Sequence, residues 1–333
     1  MAGSSFIWSQ FRRKRLNMAG LATVVLLVLV AVFADFLASR LPIYLHFEGE
    51  TYWFPNVRDP PALRAWDNDR LEEAFGEDDW AVMPLVPWGP NQDDLSMGGA
   101  SARPPDGRHP LGTDSVGRDV FAGIVHGTRI ALSVGFVAVG LYVLIGIMIG
   151  AAAGYFGGII DSVSSRVIEV MLSFPTFFFI LTVQGLLPST SILQLMVVIG
   201  LTRWTDVARL VRAEVLRVTT HDYVMAARAT GATDLRIVAR HVLPNSLGPV
   251  LVAASFGVAG AVLVEAALSF LGVGTNIVTP SWGRILNDAR STNYPWWTTF
   301  YPGLALFFTL TAYNVVGEGL RDAIDPRLRG DLG

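Results

Sequence analysis

Long apolar runs separated by shorter polar ones fill most of this chain. Residues 18–38 are apolar except for Thr23 and Asp35. At about 1.5 Å per residue, such a run can cross the hydrocarbon core of a bilayer. Further apolar runs occupy 127–153, 167–187, 192–211, 247–271 and 298–317. The second is rich in glycine, which suits close contact between helices. Pro175 lies inside the third and can kink it. The pattern predicts an all-α membrane protein with six transmembrane helices. It divides the chain into a tail at 1–17, a first helix at 18–40, an insert at 41–125, a five-helix core at 126–318 and a tail at 319–333.

The polar segments set the orientation. Arg12, Arg13, Lys14 and Arg15 precede the first run, and Arg203, Asp206, Arg209 and Arg212 crowd the end of the fourth. Arginine and lysine concentrate on the cytoplasmic side, which predicts both termini inside. The first run is longer than a signal-peptide h-region and no clear small-x-small site follows it, so it reads as an uncleaved span. Residues 154–166 then form a short inner loop, 189–191 an outer turn and 273–297 an outer loop. That outer loop ends in Tyr294-Pro295-Trp296-Trp297, an interfacial aromatic girdle.

Residues 41–125 are polar and acidic, with Glu72, Glu73, Glu77, Asp78, Asp79, Asp93 and Asp94. They also carry Trp53, Trp66, Trp80 and Trp88, more aromatic character than a disordered linker has. A small, loop-rich external subdomain is expected, with short strands at 43–47 and 51–54 and a short helix at 67–75. Asp67, Asp69, Asp78 and Asp79 read as a solvated acidic face. A calcium site is the other reading, though their spacing fits no EF-hand.

The stretch 220–248 is polar and Arg-bearing between apolar runs. It reads as two short helices inside a loop at 212–246. Thr220 or Asp222 can cap the first, and Thr233 or Asp234 the second. Gly231 fits a C-cap, where a left-handed residue without Cβ carries no penalty. Pro244 marks the turn back toward lipid. An ordinary cytoplasmic loop of two amphipathic helices would look the same.

Composition narrows the chemistry. Of 333 residues, 52% are hydrophobic and 16% charged, and the mean hydropathy is +0.45. Soluble domains carry about 25% charged residues. There is no cysteine, which excludes disulfides, thiolate metal sites and cysteine nucleophiles. Lys14 is the only lysine. A phosphate-binding Walker A loop needs Gly-Lys-Ser/Thr, so any ATP that drives this chain is bound elsewhere. The histidines are scattered, and nothing places a nucleophile beside a base. Nothing points to nucleic acid. Glu265 is the one acid well inside the fifth run, and a membrane-embedded charge marks a candidate functional residue.

Ala226-Ala227, three residues, Gly231, nine residues and then His241-Val242-Leu243-Pro244 resemble the coupling motif of ABC-importer permeases. That motif reads Glu-Ala-Ala, three residues, Gly, nine residues, Ile-x-Leu-Pro. Met225 stands where the family often has Glu, and His241 where it often has Ile. Three further stretches resemble the C-type permease subunit of dipeptide and oligopeptide importers. They are His109-Pro110-Leu111-Gly112-Thr113-Asp114 with Gly127-Thr128-Arg129, Glu265-Ala266-Ala267-Leu268-Ser269-Phe270-Leu271-Gly272, and Pro302-Gly303-Leu304 with Gly317-Glu318-Gly319-Leu320-Arg321-Asp322. Gly123 replaces a common Arg. The insert is similar to the longer one of a subgroup associated with larger peptides and peptide antibiotics.

The resemblance implies the type I ABC importer permease fold in a bacterial inner membrane. It implies a non-catalytic subunit working with a second homologous permease, two ATPases that hold ATP and Mg, and an external peptide-binding protein. This chain itself would hold no cofactor and no metal, and it would contact membrane lipid. The coupling site would comprise Tyr223, Met225, Ala226, Ala227, Arg228, Gly231, Ala232, Leu243 and Pro244. Arg228, Arg236 and Arg240 would either pair with acids on the ATPase or merely follow the inside bias of positive charge. Glu265 and Ser269 are candidates for gating or the path. A nickel or other small-solute importer shares these motifs. A secondary transporter or a membrane scaffold is the alternative of another class.

Overall fold

The computed structural model describes residues 2–94, 102–187, 191–274, 276, 278–290 and 295–324. In chain order the helices begin with α1 (Ala2–Arg13), α2 (Arg15–Val32) and α3 (Ala34–Leu37). The insert follows as β1 (Tyr44–Phe47), β2 (Glu50–Trp53), α4 (Pro55–Arg58), α5 (Asn68–Ala74) and β3 (Trp80–Val82). Then come α6 (Val120–Phe156), α7 (Gly158–Leu172), α8 (Thr176–Leu186) and α9 (Ile192–Thr219). The polar loop holds α10 (Asp222–Ala229), α11 (Asp234–Ile237), a π-turn (Val238–Val242) and α12 (Leu243–Ser246). The chain ends in α13 (Gly248–Phe270), α14 (Trp282–Asp288) and α15 (Trp296–Ile324).

Each of the six expected apolar runs is helical. Among the described residues α2, α6, α13 and α15 are long and apolar enough to cross a membrane, and α7 with α8 adds a fifth if that bent pair is one span. α9 is 28 residues long, but Arg203, Asp206, Arg209 and Arg212 make its second half polar.

Several boundaries differ from the sequence pattern. The tail at 1–17 is mostly helix, with Phe11 buried. The expected inner loop at 154–166 is a single-residue break at Gly157, where Gly157 and Gly158 adopt φ of +63° and +56° and interrupt the helix. Helix then resumes through Ile159, Val163 and Val167. The third span is two helices bent by 80°. Pro175 lacks an amide proton and its ring crowds the preceding turn, so the helix breaks there. α6 starts at Val120, inside the span assigned to the insert, and α9 runs on to Thr219, which shortens the polar loop. The expected turn at 189–191 lies outside the described residues except for Ser191. So do Tyr294 of the aromatic girdle and the tail beyond Ile324.

The chain forms two compact units. The first comprises 1–24, 134–264 and 310–333, and the second 25–133 and 265–309. In the first, glycine sets the distance between helices. Gly146, Gly150 and Gly154 recur every four residues along α6 and face α9. A β-carbon on Gly150 would lie 2.4 Å from the Ala208 carbonyl oxygen, and one on Gly146 would lie 2.6 Å from Val207 Cβ. Gly200 of α9 reciprocates, being pressed against Leu141. Such small-residue ladders let backbones approach where lipid offers no hydrophobic drive. Arg212 of α9 donates to both oxygens of Asp161 on α7.

In the second unit the insert is folded. β1 pairs antiparallel with β2 and β3, giving the order β2-β1-β3. The third strand escaped the sequence reading because it is only three residues long, between acids and a proline. Leu41, Leu45, Phe47, Leu63 and Leu71 form its core, with Tyr52, Trp66, Phe75 and Ala81 around them. Asp67 caps α5 by accepting from the Arg70 amide at 2.9 Å. The acids weighed for calcium are spread out: Asp69 pairs with Arg108, and Asp79 accepts from the Glu48 and Gly76 amides. Arg129 of α6 donates to Asp35 at 2.8 Å and to the Ala31 carbonyl at 2.9 Å, holding α6 against the end of α2.

The entry to α6 carries a buried histidine. His109 Nδ1 lies 2.8 Å from Asp119 Oδ2, and its Nε2 lies 3.4 Å from Asp94 Oδ2. The same Asp119 caps α6 by accepting from the Ala122 amide at 2.7 Å. Trp88 packs on the imidazole, and Asp106 accepts from the His109 amide. Burial works to depress the His109 pKa, but the hydrogen bonds of Asp119 and Asp94 and the charges of Asp119 and Asp106 outweigh it and hold the pKa above the usual 6.5.

Two expectations follow from these contacts. Gly150→Leu forces α6 from α9 and should destabilise the first unit by roughly 1–3 kcal/mol, read as a lower unfolding temperature in detergent; an unchanged transition would contradict the close packing. Because the folded His109 pKa is raised, its stabilisation is complete below about pH 6.5 and fades as pH rises through the raised value. Protease cleavage within 102–119 should therefore increase with pH in the wild type, and His109→Asn should flatten that dependence.

Candidate functional site

The polar loop projects from the end of α9. His221 occupies the N-cap of α10 and Thr233 that of α11, and neither side chain makes a capping hydrogen bond. The expected caps from Thr220 and Asp222 are thus not made, since Thr220 Oγ1 donates back to the Arg217 carbonyl of α9 and Asp222 is already the first residue of α10. The exit from α10 follows the sequence reading closely. Gly231 has φ of +80°. The Gly231 amide donates to the Arg228 carbonyl and the Ala232 amide reaches back to the Ala227 carbonyl, both at 3.1 Å. These two bonds define a Schellman motif with glycine in its left-handed position.

Three buried apolar side chains anchor the loop: Val224 of α10, Ile237 of α11 and Val242 of the π-turn. Tyr223 and Met225 flank Val224 and point outward, 42% and 54% exposed. Ala226, Arg228 and Gly231 are also exposed, while Ala227 and Ala232 are half-buried. Leu243 is half-buried and Pro244 exposed at the far end. Pro244 cannot donate to the Arg240 carbonyl and its ring would clash there, so the helix before it widens into a π-turn.

A tyrosine that the sequence did not single out ties the loop together. Tyr155, at the end of α6, donates to Asp234 Oδ1 at 2.6 Å and accepts from Arg228 Nη2 at 3.2 Å. The Arg228 guanidinium also lies over its ring at 5.6 Å. One phenol therefore bridges the helix before Gly231 and the helix after it. Arg228, for which an acid on a partner was one of two readings, is engaged by Tyr155 within the chain. Nothing in the sequence marks Tyr155, because it lies 73 residues from Arg228.

Residues 146–330 match the family described as binding-protein-dependent transport system inner membrane component. Residues 5–61 match the N-terminal transmembrane domain of oligopeptide transport permease C. The oligopeptide transport system permease protein OppC of Bacillus subtilis is 30% identical over 322 residues, 96% of this chain and 88% of that protein. The dipeptide transport system permease protein DppC of Alkalihalophilus pseudofirmus is 38% identical over 227 residues, 68% of this chain and 74% of that protein. The chain belongs to the binding-protein-dependent transport permeases. A solved structure of the MetNI methionine ABC transporter, in an inward-facing form, covers 61% of this chain and 97% of its own with a TM-score of 0.50 at 20% identity, a likeness of fold. The permease is a multi-pass inner-membrane protein and a transport subunit of an ABC importer, a family whose members work with ATPase and binding-protein subunits.

Glu265 and Ser269 lie one turn apart on α13 of the permease, both buried. Ser269 Oγ donates to Glu265 Oε1 at 2.8 Å. The chain after α13 folds back over them: a β-carbon on Gly274 would lie 2.2 Å from Ser269 Oγ, and one on Gly283 would lie 2.2 Å from the Ala266 carbonyl oxygen. Trp282, buried beside Gly283, donates from Nε1 to the Ile124 carbonyl at 2.9 Å. The pair is thus packed under its own loop. α14, which closes this cover, was missed by the sequence reading although Ser281 caps it by accepting from the Arg284 amide.

A β-carbon on Gly231 would meet nothing within 4 Å, so its substitution tests backbone conformation alone. Gly231→Ala should weaken the α10 exit by about 1 kcal/mol and Gly231→Val by more, with Gly231→Asn mildest. Hydrogen exchange at the amides of 230–232 should rise from Gly231→Asn through Gly231→Ala to Gly231→Val, and equal protection in all three variants would sink the assignment.

Proposed function

We propose that this chain is the transmembrane permease subunit of an ATP-driven importer of peptides, of the di- and oligopeptide class. The names of its relatives support the substrate class. α10 is the part that docks on an ATPase, with Tyr223, Met225, Ala226, Ala227, Arg228, Gly231 and Ala232 at the contact and Leu243 and Pro244 at its base. One observation carries this reading: α10 is exposed yet anchored at both ends. It is pinned by Val224, clamped through Tyr155 and ended by a Schellman turn. A knob of that kind transmits a push, whereas a solvated flexible loop absorbs it. ATPase closure would then carry α10 and switch the permease between outward and inward access.

The partners on this reading are a second homologous permease, two ATPases and an external peptide-binding protein. ATP and Mg belong to the ATPases, consistent with Lys14 being the only lysine. Both termini and α10 face the cytoplasm and the insert faces out, in keeping with the arginines around α10. Glu265 and Ser269 act in gating by holding the loop after α13 in place, rather than as contacts for peptide.

Ala226→Arg enlarges the exposed face of α10 without disturbing Val224. It should leave membrane levels unchanged, abolish capture of the tagged ATPase and reduce peptide uptake to background in the same membranes. Full capture and uptake would show that α10 is not the coupling element. A cysteine placed at Asp78 should react with impermeant reagent from outside; reaction only from the cytoplasmic side would reverse the orientation.

A further inference from the structure

The insert is apolar on both faces of its sheet. Alternation along β1 sends Leu45 and Phe47 into the core and leaves Tyr44 and His46 on the opposite side. The register sets Trp53 and Val82 on either side of Tyr44, and Trp80 across from His46. The Tyr44 ring meets Trp53 edge-on at 4.9 Å and stacks on Trp80 at 4.6 Å. Trp53, Trp80 and Val82 are 60%, 51% and 47% exposed. Nothing in this chain covers them among the described residues.

This aromatic face continues a lipid-facing one. α2 exposes Val25, Leu26, Leu29 and Val32, and Phe33 just beyond it is exposed too. Phe33 packs on Phe36 at 6.0 Å, and Phe36 on Phe54 at 5.8 Å. Phe54 adjoins Trp53 in the chain and is itself exposed, as is Val57 of α4. The apolar row thus runs from a membrane-length helix through Phe33, Phe36 and Phe54 to the residue next to Trp53 in the chain. Glu48, Glu50, Asp78 and Asp79 gather at the hairpin end, while Arg58 and Asp59 follow Phe54 within a turn at the other end. Tryptophan and tyrosine favour the headgroup level of a bilayer, where the ring is desolvated and the polar edge stays wet.

We propose that the outer face of this sheet rests in the headgroup–acyl boundary of the membrane that α2 crosses. Its occupant is lipid, with the acidic hairpin lifted into water. The insert is then a platform lying on the bilayer rather than a domain standing off it. This rests on α2 spanning the membrane. It does not depend on α10 docking an ATPase, nor on which side the insert lies.

The absence of native cysteine allows a direct test. Val82→Cys, Val57→Cys and, as control, Glu73→Cys on the far side of α5 are labelled with an environment-sensitive nitrobenzoxadiazole in the full chain, reconstituted in phosphatidylcholine–phosphatidylethanolamine nanodiscs. Labels at 82 and 57 should be blue-shifted and quenched at least about twofold more than at 73 by lipids carrying a shallow doxyl group. Trp53→Ser with Trp80→Ser should reduce that quenching at 82. Doxyl quenching no greater than at 73 overturns the proposal. So does an iodide-accessible label at 82 that is shielded only when the peptide-binding protein is added, since the face would then be a protein-docking surface.

Discussion

The close approach of α6 to α9 is the contact on which the polar loop depends. With Gly146 pressed on Val207, Gly150 on Ala208 and Gly154 on the Arg212 carbonyl and Val215, the two helices stay in close contact toward the end of α6. That shared path brings Tyr155 beside the loop. Tyr155 holds Arg228 and Asp234 only because α6 stops where α9 hands over to α10. A side chain larger than glycine at position 150 of α6 would therefore disturb a phenol bond a turn or more away. In lipid, where apolar area gives no advantage to one helix contact over another, such steric fit is what selects the arrangement.

Two glycines show how the same residue serves different physics. Gly150 is needed for the absence of volume: its backbone is ordinary helix, and its missing β-carbon is filled by Ala208. Gly231 is needed for its dihedral angles: its surroundings are empty and its φ is +80°. The first makes a rigid contact and the second a rigid turn. Motif matching treats both as "Gly", yet alanine at 150 would collide with a carbonyl, whereas alanine at 231 would only be strained.

Much of this was legible in the sequence because it is local or periodic. Each apolar run became helix, the short helix expected at 67–75 forms with Asp67 as its cap, and the left-handed Gly231 follows from its place after Ala229 and Thr230. What stayed hidden depends on distance along the chain. Tyr155 is an unremarkable residue until 228 and 234 arrive beside it, and His109 is one scattered histidine until Asp94 and Asp119 enclose it. β3 had too few residues to show a period. The inner loop at 154–166 was misread because paired glycines suggest a loop, when two left-handed residues can turn one helix straight into the next.

The exposed face of α10 bears on how an ATPase would read it. Arg228 is committed to Tyr155, and Met225 stands where the family often carries Glu, so Asp222 is the one carboxylate on α10. Tyr223, Met225 and Ala226 present mainly apolar surface. Recognition on the proposed reading then relies on shape and buried area more than on ion pairs. It should therefore weaken only modestly with salt, since screening acts on exposed charges and leaves apolar burial in place. Arg236 and Arg240, exposed beyond Gly231, are the groups left to steer a partner without fixing its position.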